Sequence, residues 1–421
     1  MKANQRVLIL GADGFIGRHI AFALRGAGLQ VIAHARNPSK LAAMGFETLK
    51  ADLNDPATHQ PRFWQTPLAD DTWLVNAAGL LSGSQAQFQA VHIAAPTAAY
   101  AAMTPNARAV LVSAIGIDAE TDFANFRRLG EAATTDQVTI LRPGLVMADT
   151  SYGGSSLARS LAAFPLITPV VSDGAQQFNP IHASDLAAII LQCLHVPPSR
   201  KPHNIGGLET VTQAELMQML RGWMGLKKRP IFRLPLPVAV AFGAVGDALR
   251  LGPISKQAVA QLQHGVHAPM SPEISFEPRS VSNFIQSRPA GTQDIWLARL
   301  YLMRPLLRLS LVFLWLVSGI LGLTLSAETF VPLIPTNLLS DTALIAMARV
   351  GGLADLAIAF ALLRNWRPGV MTWIQLGLIL SYTVAFMILA PLLWLLPLGG
   401  LLKNLPLLVL VAIWGILEHE R

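Results

Sequence analysis

The chain has 421 residues, 52% of them hydrophobic and only 14% charged, with a net charge of +7. That length allows roughly two or three domains, and the mean hydropathy of +0.45 is too high for a purely water-soluble protein. The basic residues gather beside apolar segments (Arg221, Lys227, Lys228, Arg229 and Arg233, then Arg299, Arg304 and Arg308), a placement expected for an anionic membrane surface and not for nucleic acid.

The first element is a strand. Val7-Leu8-Ile9-Leu10 is apolar at every position, as a parallel strand buried on both faces requires. It runs into Gly11-Ala12-Asp13-Gly14-Phe15-Ile16-Gly17-Arg18, after which Ile16, Ile20, Ala23 and Leu24 recur at helical spacing as far as Gly26 and Gly28. The glycines therefore sit on a strand-to-helix turn. Its backbone amides and helix N-terminus form the geometry that holds a pyrophosphate. The N-terminus enters this strand directly, without a signal-peptide pattern.

Val31-Ile32-Ala33 is the second strand and ends at Arg36, with Lys40 one turn later and no carboxylate at that place. An Asp or Glu there suits the ribose hydroxyls of NAD; a guanidinium suits a 2′-phosphate. The expected cofactor is thus NADP in preference to NAD, held by Arg36 with help from Arg18. The third strand, residues 46–50, stops at Asp52-Leu53, an expected adenine-edge contact. The fourth, residues 72–75, ends in Ala77-Ala78-Gly79, small residues that let a ligand approach the backbone. Residues 109–113 and 138–141 are the fifth and sixth strands, the latter running into Arg142-Pro143-Gly144. Strands alternating with helices predict an α/β fold, a doubly wound parallel sheet. Cys193 falls in an apolar helix and reads as core, so no disulfide or metal set is expected.

Six motifs in order resemble the extended or atypical short-chain dehydrogenase/reductases. They are the glycine pattern, the Arg at the second strand, Ala-Asp-Leu, Asn-Ala-Ala-Gly, Leu-Arg-Pro-Gly, and Phe-Asn-Pro-Ile-His-Ala-Ser-Asp-Leu-Ala with His-Asn-Ile-Gly-Gly. Among these the chain is most similar to the group containing the nucleotide-binding accessory subunit of respiratory complex I, over about residues 5–225. The resemblance implies an NAD(P)-binding Rossmann domain, with residues 152–164 and 178–185 on the substrate side and Pro143 beside the cofactor. It also implies a Tyr-x-x-x-Lys pair after the fifth strand, and here the chain departs. Phe123 stands for the Tyr and Arg127 for the Lys. Phenylalanine has no exchangeable proton, and an arginine can bond a ribose but does not relay a proton. Ser113 is nearest to the family's Ser, and Tyr152 and His182 are the candidate replacement acids.

The βα rhythm ends near residue 230. Residues 236–249 form an apolar run too short to span a bilayer, read as an interfacial helix. Residues 265–291, rich in Pro and Gly, read as a linker. The expected boundaries are 1–230 for the nucleotide domain, 231–300 for the linker and 301–421 for an all-α four-helix transmembrane bundle. The four spans are residues 309–327, 342–363, 369–390 and about 398–417. The segment resembles the DoxX-like membrane domains, some of which are tied to quinone-linked redox chemistry.

Lys and Arg flank the first span and join the second to the third, whereas residues 328–341 have none. This predicts a bacterial inner (cytoplasmic) membrane protein with its nucleotide domain cytoplasmic. Arg349 and Asp355 lie within the second span, roughly 120° apart around the helix and about 9 Å along it. They cannot pair tightly on one face, so each is expected to find a partner on another span or a ligand. Two functions are compatible with this layout. One is an NADP-dependent oxidoreductase acting on a membrane-dissolved molecule such as a quinone or isoprenoid, with membrane lipid as its surroundings. The other is a non-catalytic NADP-binding assembly subunit of a membrane complex.

Overall fold

The structure is a computed structural model and describes residues 5–80, 83–117, 121–251, 254–334, 336, 338–395 and 397–419. The chain divides into two compact units. One runs to Leu236 and takes back Ala260–Ile295; the other holds Pro237–Val259 and Trp296 onward.

The first unit is built on a seven-stranded sheet in which every pairing is parallel. Its first six strands in chain order are β1 (Arg6–Leu10), β2 (Gln30–Ala35), β3 (Glu47–Lys50), β4 (Trp73–Asn76), β5 (Ala109–Val112) and β6 (Val138–Pro143). A short strand, β7 (Thr168–Val171), lies outside this sheet, and β8 (His203–Ile205) completes it in the order β8-β6-β5-β4-β1-β2-β3. Within this sheet, β8 is the strand the periodicity missed. It has three residues, two of them polar, and only its register against β6 makes it a strand.

The uniformly apolar β1 is explained by its two faces. Val7 and Ile9 point into a core shared with Ile20 and Leu24 of helix α1 (Phe15–Gly26). Leu8 and Leu10 point into a second core around Trp64, Ala99 and Tyr100. Helices cover both faces, so strand positions that would alternate in a half-exposed sheet are all buried. The further helices of this unit include α2 (Asp122–Ala132), α3 (Gly154–Ala162), α4 (Ala183–His195), α5 (Gln213–Trp223) and α6 (Val281–Gln286). Cys193 packs in α4, where burial pushes its thiol up to about 11.

Residues 265–291 are packed rather than loose. Ala268 and Val281 are fully buried, and Asn179 bonds both the carbonyl and the amide of Ala268. Arg279 reaches back to Asp185 at 2.8 Å. Proline and glycine shape this segment's turns while its sparse apolar residues anchor it, which composition alone does not reveal. Arg221 is likewise buried instead of joining a basic face.

The second unit contains four helices long and apolar enough to cross a membrane: α7 (Thr292–Thr324), α8 (Asp341–Leu363), α9 (Pro368–Leu389) and a last one spanning Gly400–Glu418. They pack around Trp315, Leu362, Met371 and Trp414, while Phe313, Val350 and Trp373 face outward, 68%, 68% and 76% exposed. An outward apolar surface of this kind is what a membrane-crossing helix presents to lipid chains. Gly319 and Gly322 of α7 meet Gly352 of α8 at backbone distance, a small-residue contact that lets the helices approach closely. Asp355 accepts from Ser318 Oγ at 2.6 Å and Tyr382 Oη at 3.0 Å. Arg349 donates to the carbonyls of Gly322 and Leu325 at 2.7 and 2.6 Å, closing the C-terminal end of α7. Each finds its partners on neighbouring helices, as their angular separation requires.

Candidate cofactor and substrate site

The glycine loop follows β1 and opens α1. Gly11 has φ +72°, and a Cβ there would stand 2.8 Å from the Cα of Ala78. A Cβ at Gly17 would overlap the carbonyl of Gly11, so only glycine lets the helix close on the loop. Gly14 is the N-cap of α1; no side chain caps it, and the first turn carries no acidic residue. The leading amides, those of Phe15 and Ile16 among them, thus meet no competing carboxylate, which fits an incoming pyrophosphate. Arg18 lies beside them and donates to the carbonyl of Asp13 at 2.9 Å.

His34, a residue outside every motif, anchors the loop. Its Nδ1 accepts from Gly11 N at 3.3 Å and its carbonyl from Ala12 N at 3.0 Å. Burial lowers its pKa to about 4, so at neutral pH the ring is uncharged and able to accept. The signal was present in the sequence as a polar residue inside an otherwise apolar strand.

Arg36 is exposed at the end of β2. Asp52 is exposed close by and accepts from the backbone and side-chain nitrogens of Asn54 at 3.0 and 2.9 Å. The Asn54 backbone bond, with its side chain and Arg36, holds the Asp52 carboxyl below the usual carboxylate range. The Leu53 side chain is buried in the core with Leu10 and Trp64, so only its backbone is left to meet an adenine.

At the end of β4, Asn76 Oδ1 accepts from Ala78 N at 3.1 Å and its amide nitrogen donates to Tyr100 Oη at 3.1 Å, which shapes Ala77-Ala78-Gly79. Arg127 of α2 lies against Gly79, where any Cβ would strike its guanidinium. Its Nη1 donates to the carbonyl of Val112 at 2.7 Å, and its Nε is buried without a partner among the described residues. Burial lowers its pKa to about 10, and the guanidinium stands over the Phe123 ring at 5.4 Å. Phe123 and Arg127, where the resemblance leads one to expect a Tyr and a Lys, are therefore neighbours on one helix face, with no transferable phenolic proton between them.

Ser113 does not face the cleft as a free hydroxyl. Its Oγ donates to Glu131 at 2.5 Å, and Arg142 Nε holds the same carboxylate at 3.0 and 3.1 Å. Pro143, the last residue of β6, is buried, and its carbonyl accepts from Ile115 N at 3.2 Å.

The residues expected on the substrate side gather elsewhere. Tyr152, 46% exposed, stacks on Phe15 with ring centroids 6.3 Å apart and 25° between planes. His19 Nε2 lies 2.8 Å from Thr150 Oγ1. His182 Nδ1 accepts from Ser184 N at 3.2 Å, capping α4, and stands 2.7 Å from Ser184 Oγ and 3.0 Å from Arg279 Nη2. With Nδ1 committed, the other nitrogen, 3.8 Å from Asp149, is the one left for chemistry. Burial and then the Arg279 charge lower the His182 pKa. Beyond it Arg159, Trp223, Arg288 and Asp149 line a cavity of about 20 Å³, room for one water. The structure thus brings Tyr152 and His182 to the rim shared with Phe15 and His19, and it turns Ser113 into the core.

Residues 11–138 match the NAD(P)H-binding family, and residues 312–412 match the DoxX-like family. No curated protein matches the chain in sequence. Among solved structures, dTDP-glucose 4,6-dehydratase from Bacillus anthracis in complex with NAD is similar over 55% of this chain and 84% of its own, with 15% identity and a TM-score of 0.45. UDP-glucuronic acid 4-epimerase from Bacillus cereus in complex with NAD is similar over 67% and 99%, with 15% identity and a TM-score of 0.47. On the two family matches, the chain joins an NAD(P)-binding Rossmann domain to a DoxX-like domain with four membrane-capable helices.

Proposed function

We propose that the chain is a multi-pass protein of a bacterial inner membrane whose cytoplasmic Rossmann domain binds NADP(H) and reduces a hydrophobic substrate dissolved in the bilayer, such as a quinone or isoprenoid. The observation that carries this reading is the pairing, in one chain, of an uncapped glycine-loop helix end with an apolar helical domain. Exposed Arg36 and Arg18 favour the 2′-phosphate form of the cofactor. With its pyrophosphate held at the loop, the dinucleotide would supply or take a hydride through its nicotinamide ring. The chain's own residues do the rest. The amides of Phe15, Ile16 and Gly17 would bind the pyrophosphate, while Gly11 and Gly14, whose own amides bond His34 and the Gly11 carbonyl, shape the loop that presents them. Ala77, Ala78 and Gly79 form a wall without side-chain bulk, and Arg127 braces it. The proton that α2 does not provide falls to the Tyr152 phenol on the rim, with His182 as the second donor.

A second reading has its own support. Phe123 and the closed Ser113–Glu131 bond leave the family's proton machinery dismantled, as suits a non-catalytic NADP-binding assembly subunit. One experiment separates the two. The full chain is purified in detergent, co-purifying nucleotide is identified by mass spectrometry, and NADPH consumption is followed as short-chain quinones are added. Quinone-dependent oxidation supports the oxidoreductase; bound nucleotide that is never consumed supports the assembly subunit.

A further inference from the structure

We infer that the Rossmann unit carries a lipid-docking surface made of two adjoining segments, residues 164–167 and 227–233, that settles on the anionic headgroups of the membrane. The segments adjoin because β7 (Thr168–Val171) pairs in parallel with a last strand, β9 (Ile231–Leu234), to form an isolated two-stranded sheet. Arg221 clamps them together. Its Nη1 donates to the carbonyls of Ala162 and Phe164 at 2.6 and 2.9 Å, and its Nε to the carbonyl of Lys227 at 2.5 Å.

What this clamp presents is unusual for a surface facing water. Leu166 is 71% exposed, Phe232 47%, Ile231 38% and Phe164 37%. An edge strand carrying uncovered Ile and Phe is a liability unless something covers it. Around these apolar tips stand Lys227, Lys228, Arg229 and Arg233, all exposed. None of the four makes an ion pair among the described residues, and neither 159–172 nor 221–236 contains an Asp or Glu. Apolar tips ringed by unpaired cations match a surface with negative headgroups above an apolar interior. A protein partner would need its own dense acidic patch. The chain itself links this surface to the membrane-capable helices: β9 ends at Leu234, and the chain enters the unit that holds them at Pro237.

The inference rests on reading the chain as a membrane protein and deepens the proposed function by fixing the lipid class that the Rossmann unit meets. Its test uses the full chain with Leu166→Cys labelled by an environment-sensitive fluorophore; the natural Cys193 is buried. The protein is placed in nanodiscs of phosphatidylcholine alone or with phosphatidylglycerol, each carrying spin-labelled acyl chains. Lipid quenching of the label in the phosphatidylglycerol discs, weakened by salt, is expected. Reversing Lys227, Lys228, Arg229 and Arg233 to Glu should weaken docking by at least about tenfold, with NADPH affinity unchanged as the check on folding. A label that stays water-exposed in both discs overturns the inference. So does one shielded from water yet untouched by lipid quencher, which means a protein cover, and so does quenching indifferent to charge. NADPH turnover plays no part, so failure here and failure of the substrate assignment are read separately.

Discussion

Ser113 and Glu131 are joined by a buried hydrogen bond of 2.5 Å, and Arg142 holds both oxygens of the same carboxylate. A hydroxyl that donates to a buried carboxylate has no proton to offer a substrate. The bond ties the end of β5 to α2, the helix that carries Phe123 and Arg127. Ser113→Ala should therefore cost stability, roughly 1.5–3 kcal/mol as for other hydrogen bonds to charged groups, while NADPH affinity stays within error. Thermal unfolding and nucleotide titration measure the two. Lost turnover at unchanged stability would instead make Ser113 a catalytic residue.

His34 predicts a pH dependence. Its folded pKa of about 4 lies below the ordinary histidine value of 6.5, so between those values the unfolded chain binds a proton that the folded chain refuses. Stability therefore rises with pH across that window and falls as pH drops from 6.5 towards 4. The full difference corresponds to roughly 3 kcal/mol. Protonation would also remove the acceptor for Gly11 N. Lowering the pH from about 7 to about 5 should depress the unfolding temperature, and His34→Gln, which keeps an acceptor but does not titrate, should flatten the curve. Parallel curves for the two proteins would dismiss His34 as the source.

The elements legible in the sequence are those whose determinants are local. Val7 to Leu10 is apolar throughout because both faces are buried, and the glycines after it are dictated by backbone collisions within a few residues. The apolar helices announce themselves by length. What stayed hidden depends on partners far along the chain. β8 exists through β6, the 265–291 segment through Asn179 and Asp185, and the orientation of Ser113 through Glu131, 18 residues on. The burial of the Leu53 side chain is of the same kind, since it is set by Leu10 and Trp64 and not by its neighbours in sequence.

Arg36 should select the cofactor. It is exposed at the end of β2, and the nearby Asp52 carboxylate is already engaged by Asn54. A charge-assisted contact is worth roughly 1.5–3 kcal/mol, about ten- to a hundredfold in affinity. Arg36→Ala should weaken NADPH binding by that factor and leave NADH nearly unchanged, as read by fluorescence titration. Equal affinity of the unaltered protein for both dinucleotides would refute the assignment.

Both ends of the four-helix segment should lie on the cytoplasmic side. The loop after α7 lacks Lys and Arg, whereas Arg364 and Arg367 lie between α8 and α9. A reporter that folds only outside the cytoplasm should be active when fused after Thr336. It should be silent when fused after Arg421, which lies outside the described residues. Activity at Arg421 would mean an odd number of spans and would remove the last helix as a crossing.

The proton source decides between enzyme and assembly subunit. General acid–base assistance is typically worth a hundred- to ten-thousandfold in rate, and Phe123 contributes none of it. Tyr152, stacked on Phe15, and His182, with one ring nitrogen left, are the donors near the rim. If the chain turns over NADPH, Tyr152→Phe should lower the rate by about that factor at unchanged nucleotide affinity, with His182→Ala as the parallel test of the second donor. Gly14→Asp is the sharper control. Asp is a good N-cap, and a Cβ at Gly14 approaches only the Gly11 carbonyl, at 3.2 Å, so α1 should survive. The new carboxylate faces the pyrophosphate position and should abolish nucleotide binding. If cellular function is lost with Gly14→Asp but kept with Tyr152→Phe and His182→Ala, the bound nucleotide is structural and the assembly reading stands. Turnover that vanishes in either rim variant while NADPH still binds makes the protein an enzyme.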